Sequence, residues 1–140
     1  MPTLFAKILA GEILGRFVWK DDRCVAFLTI APLRPGHTLV VPRDEVDHWI
    51  DAPPDLLAHL MHVAQQVGRG IDRAWRPKKV GVAIIGLEVP HLHVHLSPIW
   101  DVHDLDFDKQ DRDPDPKALD AAAEKLRASL RELGAAHVAD

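Results

Sequence analysis

The chain has 140 residues, 47% of them hydrophobic and 27% charged, with a formal net charge of -4. That length supports one core, hence one domain over 1–140, and the acidic balance argues against nucleic acid as a general partner, which calls for a basic face. No stretch approaches the ~20 apolar residues that span a bilayer, and Gly11 and Glu12 break the first apolar run before a secretory signal can form, so the expected location is the cytoplasm, away from membranes.

In chain order, Thr3 is placed to cap a short helix through Leu4, Ile8 and Leu9, stopped near Gly11. Phe17 to Lys20 and Cys24 to Ile30 read as an antiparallel hairpin around an Asp21-Asp22 turn. Cys24 reads as a buried or half-buried strand residue. Being the single cysteine, it allows no intramolecular disulfide and no Cys-x-x-Cys zinc knuckle. Pro32, Pro35 and Gly36 mark a loop, and His37 to Val41 a third strand ended by Pro42. Pro53 to Ala74 is the clearest helix. Leu56, Leu60, Val63, Val67 and Ile71 recur at three- and four-residue steps and make one apolar stripe. The basic run Arg73 to Lys79 reads as a solvated loop.

Val80 to Ile85 is nearly continuously apolar, as expected of a strand covered on both faces. A second strand is expected from His91 to Leu96, ending at Pro98. Asp101 to Pro116 is acidic and reads as an irregular surface loop, long enough to lie over a site beside it. A last helix runs from Pro116 to Leu133, with Leu119, Ala122, Leu126, Leu130 and Leu133 as its stripe and Gly134 as its stop. The pattern is a mostly antiparallel sheet with segregated helices, an α+β fold.

Three of the nine histidines fall at 91, 93 and 95. On a strand, alternate side chains share a face, so these imidazoles point one way while Leu92, Val94 and Leu96 point into the core. Imidazole is a poor filler for exposed strand positions, which sets a purely structural reading aside and leaves two functional ones. In the first, the histidines bind a metal such as zinc or iron. At ~3.3 Å rise per residue, His91 and His95 lie roughly 13 Å apart on a straight strand, too far to share one ion with its short bonds. Ligands from elsewhere, such as His37, His48 or Glu88, are then needed. In the second, a neutral imidazole attacks an anionic phosphate and a neighbour contacts its oxygens. His48, His59, His62, His103 and His137 are scattered and read as surface or structural. Trp19, Trp49 and Trp75 read as core, rim or interface residues, and Trp100 has the best claim among the tryptophans to a place near the site.

The segment His91-Leu92-His93-Val94-His95-Leu96-Ser97 resembles the His-x-His-x-His-x-x signature of the histidine triad (HIT) family. Pro35-Gly36-His37-Thr38-Leu39-Val40-Val41-Pro42-Arg43 and Asp21-Asp22-Arg23-Cys24-Val25-Ala26-Phe27-Leu28 are similar to two further stretches of that family. The resemblance covers about residues 2 to 100 and leaves the last helix outside. It implies a five-stranded antiparallel sheet with a short N-terminal helix and a long central one. It also implies a homodimer paired through Val80–Ile85 and Pro54–Ala74. The activity implied is attack on a nucleotide's α-phosphate by His93, giving a nucleotidyl-histidine that water or a second substrate resolves. In that scheme His95 contacts the phosphate, His91 positions the nucleophile, and His37 joins them. Phe5, Ile8, Phe27 and Leu28 fall where the family lines its base pocket, and neither metal nor cofactor is needed.

The chain also departs from the family. Thr29 stands where many relatives carry an aspartate that binds the ribose hydroxyls, and a single hydroxyl is a weaker partner than a carboxylate. Leu87, Glu88 and Val89 replace a Gly-rich loop with its polar residues, and the Glu88 carboxylate repels a phosphate unless it is protonated or turned away. The N-terminal cysteines that bind zinc in some relatives are absent around Phe5 and Ala6. Two functions follow: a nucleotide hydrolase or transferase acting on a phosphoramidate or polyphosphate type of substrate, or a nucleotide- or partner-binding dimer with little turnover.

Overall fold

The apolar stripe of the longest helix decides which face of the sheet is covered. In this computed structural model, which describes residues 2–140, the elements are α1 (Leu4–Leu9), β1 (Phe17–Lys20), β2 (Cys24–Leu28), β3 (Thr38–Pro42), α2 (Pro54–Trp75), β4 (Lys79–Ala83), β5 (Val94–Ile99) and α3 (Pro116–Glu132). The five strands form one antiparallel sheet in the order β1-β2-β3-β5-β4. This is the α+β architecture expected from the sequence.

Leu56, Leu60, Val63, Val67 and Ile71 of α2 pack on Val18, Cys24, Ala26, Leu28, Val40, Val94 and Leu96. Burial of each such aliphatic side chain contributes about 1.5–3 kcal/mol. Ala122, Ala123, Leu126 and Leu130 of α3 join the same cluster, and Ser129 Oγ donates to the Gly70 carbonyl at 2.7 Å, tying α3 to α2. Strand alternation turns Val25, Phe27, Leu39 and Val41 to the opposite face, where α1 adds Phe5 and Ile8. That smaller cluster is the wall against which the histidines stand. Among the described residues, no helix is long and apolar enough to cross a membrane.

Several boundaries differ from expectation. The β5 strand starts at Val94, so His91 and His93 precede the regular ladder. The Leu92 amide donates to Val46 O instead of to β3, which draws this segment off the sheet. At its other end β5 passes through Pro98 to Ile99. The β2 strand stops at Leu28, and His37 lies just before β3. The β4 strand is not covered on both faces: it pairs with β5 alone among the described residues, only Gly81 of its five residues is buried, and Val82 is 47% exposed. The far edge is closed differently, because Lys20 N donates to His137 O and Ala139 N to Val18 O. The acidic segment expected to be irregular contains two 3-10 turns, Val102–Leu105 and Phe107–Lys109, the first started by a reciprocal Asp101–Asp104 cap.

Candidate active site

The antiparallel register of β3 and β5 places Leu39 opposite His95. His37, two residues before Leu39, therefore shares their face. A single hydrogen-bonded chain follows. Leu33 N–H donates to His37 Nδ1 at 3.0 Å. A backbone amide can only donate, so His37 Nδ1 carries the lone pair and, in a neutral ring, Nε2 carries the proton. That Nε2–H lies 2.9 Å from His95 Nδ1, which must accept. The proton of neutral His95 is then on its own Nε2.

The neighbouring ring has the opposite arrangement. His93 Nδ1 lies 2.7 Å from the His91 carbonyl. A carbonyl can only accept, so Nδ1 carries the proton and Nε2 presents a lone pair. The centroids of His93 and His95 are 4.8 Å apart. His91 has no free nitrogen. Its Nε2–H donates to Pro42 O at 2.8 Å, and its Nδ1 accepts from the Thr3 hydroxyl at 2.8 Å. Thr3 Oγ1 also accepts from Ala6 N, capping α1. One hydroxyl thus ties the first helix to the histidine segment and holds the carbonyl that orients His93.

All three inward rings are biased to the neutral form. Burial, followed by the neighbouring His93, lowers His37 from 6.5 to about 4. Burial, then His93 and His37, lowers His95 to about 3. Burial also lowers His93, opposed by its bond to the His91 carbonyl. His93 and His95 are 7% and 9% exposed.

The remaining predicted site residues divide. Phe5 stands edge-on to His93 with centroids 4.8 Å apart and to Phe27 at 5.6 Å, and Ile8 and Val89 pack in the same cluster. Leu28 does not join them. Alternation along β2 sends it into the α2 side of the core. Thr29 is buried, and its Oγ1 accepts from Ala31 N at 3.2 Å. Leu87 is 90% exposed. Glu88 lies 3.5 Å from Arg112, an exposed pair of small energetic value. His48, one possible partner for a metal at the triad, instead accepts from Ile50 N.

Sequence reasoning missed Phe107. Its ring lies 4.8 Å from His95 and 6.2 Å from His37, edge-on to both. The segment carrying it is fastened to the Ala31–Arg34 loop. Asp111 N donates to Pro32 O, Gln110 Nε2 to Ala31 O, and Arg34 pairs with Asp104 at 2.8 Å. The Arg34 guanidinium also stacks over Trp100, so Trp100 helps anchor this strap. A lone aromatic within an acidic run was the available signal. Thr3 and Leu33 were equally hidden as site residues, one because it read only as a cap and the other because it acts through its backbone.

A HIT domain family model matches residues 10–99. An uncharacterized HIT-like protein of Saccharolobus solfataricus is 33% identical over 104 residues, covering 69% of this chain and 73% of that protein. An uncharacterized HIT-like protein of Mycobacterium tuberculosis is 31% identical over 144 aligned positions, covering 97% of this chain and 98% of that one. Among solved structures, a zinc-bound histidine triad family protein from Mycobacterium smegmatis superposes with a TM-score of 0.81 at 28% identity, covering 94% of each chain. A hypothetical histidine triad nucleotide-binding protein from Sulfolobus tokodaii gives 0.78 at 27% identity, covering 92% of each.

The lowered imidazoles give the fold a defined acid sensitivity. Unfolded, His37 and His95 protonate near 6.5; folded, only near about 4 and about 3. Between those values the unfolded chain binds more protons, so stability falls as pH drops below about 6.5, at up to about 1.4 kcal/mol per pH unit for each ring. Urea midpoints measured from neutral pH down to pH about 4 should show this loss, and His37→Asn should make it shallower. Equal slopes in the two proteins would contradict the assignment.

Proposed function

The chain belongs to the HIT family, and on that premise we propose that it is a nucleotide hydrolase or nucleotidyl transferase in which His93 attacks the α-phosphorus. The observation that carries this reading is the pair of opposite tautomers side by side, a bare Nε2 on His93 and an Nε2–H on His95. One is a neutral nucleophile that meets no charge repulsion from the phosphate. The other is a hydrogen-bond donor for a phosphoryl oxygen.

In the first step the His93 Nε2–P bond forms, and the bond from phosphorus to the leaving group breaks with its electron pair going to the leaving atom. From a phosphoramidate protonated on nitrogen, the leaving group departs as the neutral amine. The His93 ring becomes cationic, and the His91 carbonyl on its Nδ1–H stabilises that charge. In the second step water attacks phosphorus, releases a proton to solvent and expels His93 as the neutral base. His91 and His37 act as positioning residues. The base lies against Phe5, Ile8, Phe27 and Val89, with the ribose near Thr29 and the 87–89 segment at the rim. The nearby Arg112 partly offsets Glu88 there. The printed description of the Sulfolobus tokodaii structure as nucleotide-binding supports the ligand class.

The second reading, a nucleotide- or partner-binding dimer with little turnover, is favoured by the low exposure of His93 and His95 and by Phe107 over His95. Incubation with an adenosine phosphoramidate separates the two. The expected result is AMP release that falls at least ~1,000-fold in His93→Ala while AMP binding and the circular dichroism spectrum persist. Wild-type protein that binds AMP but is inert on phosphoramidates and dinucleoside polyphosphates supports the binding reading. Equal activity in the two proteins overturns the role of His93.

We further propose a homodimer through β4 and α2. The open β4 edge and half-exposed Val82, Ile85 and Met61 support it, since such an edge invites another strand. Sedimentation of the wild type should give a dimer and Val82→Lys a monomer; a monomeric wild type would contradict it.

A further inference from the structure

On the opposite side of the sheet from the histidine triad, the β1–β2 turn meets α2 at a second cluster of ligating groups. We propose that Asp21, Cys24 and His59 form a binding site for a borderline divalent cation of the zinc type. One ligand atom from each residue lies within 4.8 Å of the other two.

The spacing suits a shared ion. Zinc bonds of about 2.0–2.3 Å in tetrahedral geometry put ligand atoms roughly 3.3–3.8 Å apart. Cys24 Sγ and Asp21 Oδ2 are 3.5 Å apart. His59 Nε2 is closer to the same oxygen, at 2.8 Å, so only its partly exposed side chain has to withdraw, by under about 1 Å on that geometry. The carboxylate is also overcommitted. Trp19 Nε1, Arg23 N, Cys24 N, Cys24 Sγ and His59 Nε2 all direct donors at it, whereas a carboxylate offers about four lone-pair sites. Trp19 and the two backbone amides fix its orientation, the role outer contacts play around bound metals. Replacing the Cys24 and His59 protons with one cation removes the excess.

The donor set indicates the kind of ion. A thiolate, an imidazole and a carboxylate suit zinc, cobalt or a similar ion, whereas magnesium and calcium take oxygen ligands. Thiolate and carboxylate together cancel a charge of two. On binding, the ion replaces the thiol proton, which leaves to solvent, and the neutral His59 ring shifts its proton from Nε2 to Nδ1 through solvent, so that the bare Nε2 faces the ion. Asp21 and His59 line a cavity of about 660 Å³ that is also bordered by His62 and His137. It offers an entry path and space for a water in the fourth position.

Cobalt is the probe, because Cys24 is the chain's single cysteine. Any thiolate-to-cobalt charge-transfer band therefore reports this site, and cobalt bound at the triad cannot produce it. Titration of the intact protein should give that near-ultraviolet band, saturating at one equivalent and abolished by zinc. His93→Ala should leave the band unchanged. Cys24→Ser should remove it, and His59→Gln should weaken cobalt binding at least 10-fold. If the buried serine prevents folding, the His59→Gln comparison carries the test, since that side chain is partly exposed. No thiolate band in the folded protein, or a band indifferent to both His59→Gln and Asp21→Asn, would overturn the proposal and leave the cluster as a hydrogen-bonded tie between hairpin and helix.

Discussion

Two backbone groups that cannot change their hydrogen-bonding sense govern the chemistry of this molecule. The Leu33 amide can only donate, and the His91 carbonyl can only accept. Through His37, the first puts the His95 proton on Nε2; the second strips it from Nε2 of His93. In a solvated histidine the two tautomers interconvert freely. Here burial keeps the rings neutral, and the main chain selects a different tautomer for each. A bare ring nitrogen and an N–H donor thus come from one residue type repeated at a spacing of two.

The rest of the fold holds those groups in place. The β3–β5 register brings His37 to His95, and the packing of α2 and α3 on the far face fixes that sheet. On the near face, α1 supplies Phe5 against His93 and, through its cap Thr3, the hydroxyl that fills His91 Nδ1. His91 is fully occupied on both nitrogens, which suits a part that orients rather than reacts. The strap bearing Phe107 closes over His95 from the other side and is held mainly by contacts to the 31–34 loop, next to the Leu33 amide. The amide that sets the His37 and His95 tautomers and the anchors of the strap that covers the site therefore share one loop.

Much of this was legible in the sequence. The 3.6-residue stripe from Leu56 to Ile71 and the alternation around Val94 come from periodicities that burial enforces, and the elements they predict are present. His91, His93 and His95 were found because imidazoles are conspicuous at regular spacing, and His37 through the resemblance of its Pro35–Arg43 stretch to the family. What escaped depends on long-range contacts. Nothing local shows that Leu92 would bond to Val46 and start β5 three residues late, or that Leu28, adjacent to Phe27, would face the opposite core. The both-faces reading of β4 failed because an apolar run shows that a strand seeks cover, and not whether the same chain provides it. Phe107 was masked by its acidic neighbours. Leu33 was invisible because its contribution is an amide that nearly every residue carries.

The pair of opposite tautomers is measured directly by nitrogen-15 spectra of the histidine rings at neutral pH. The expected pattern is a protonated Nδ1 with bare Nε2 for His93 and the reverse for His95, with the His95 pattern disturbed in His37→Asn. The same tautomer in both rings, or a doubly protonated ring in either, would contradict it.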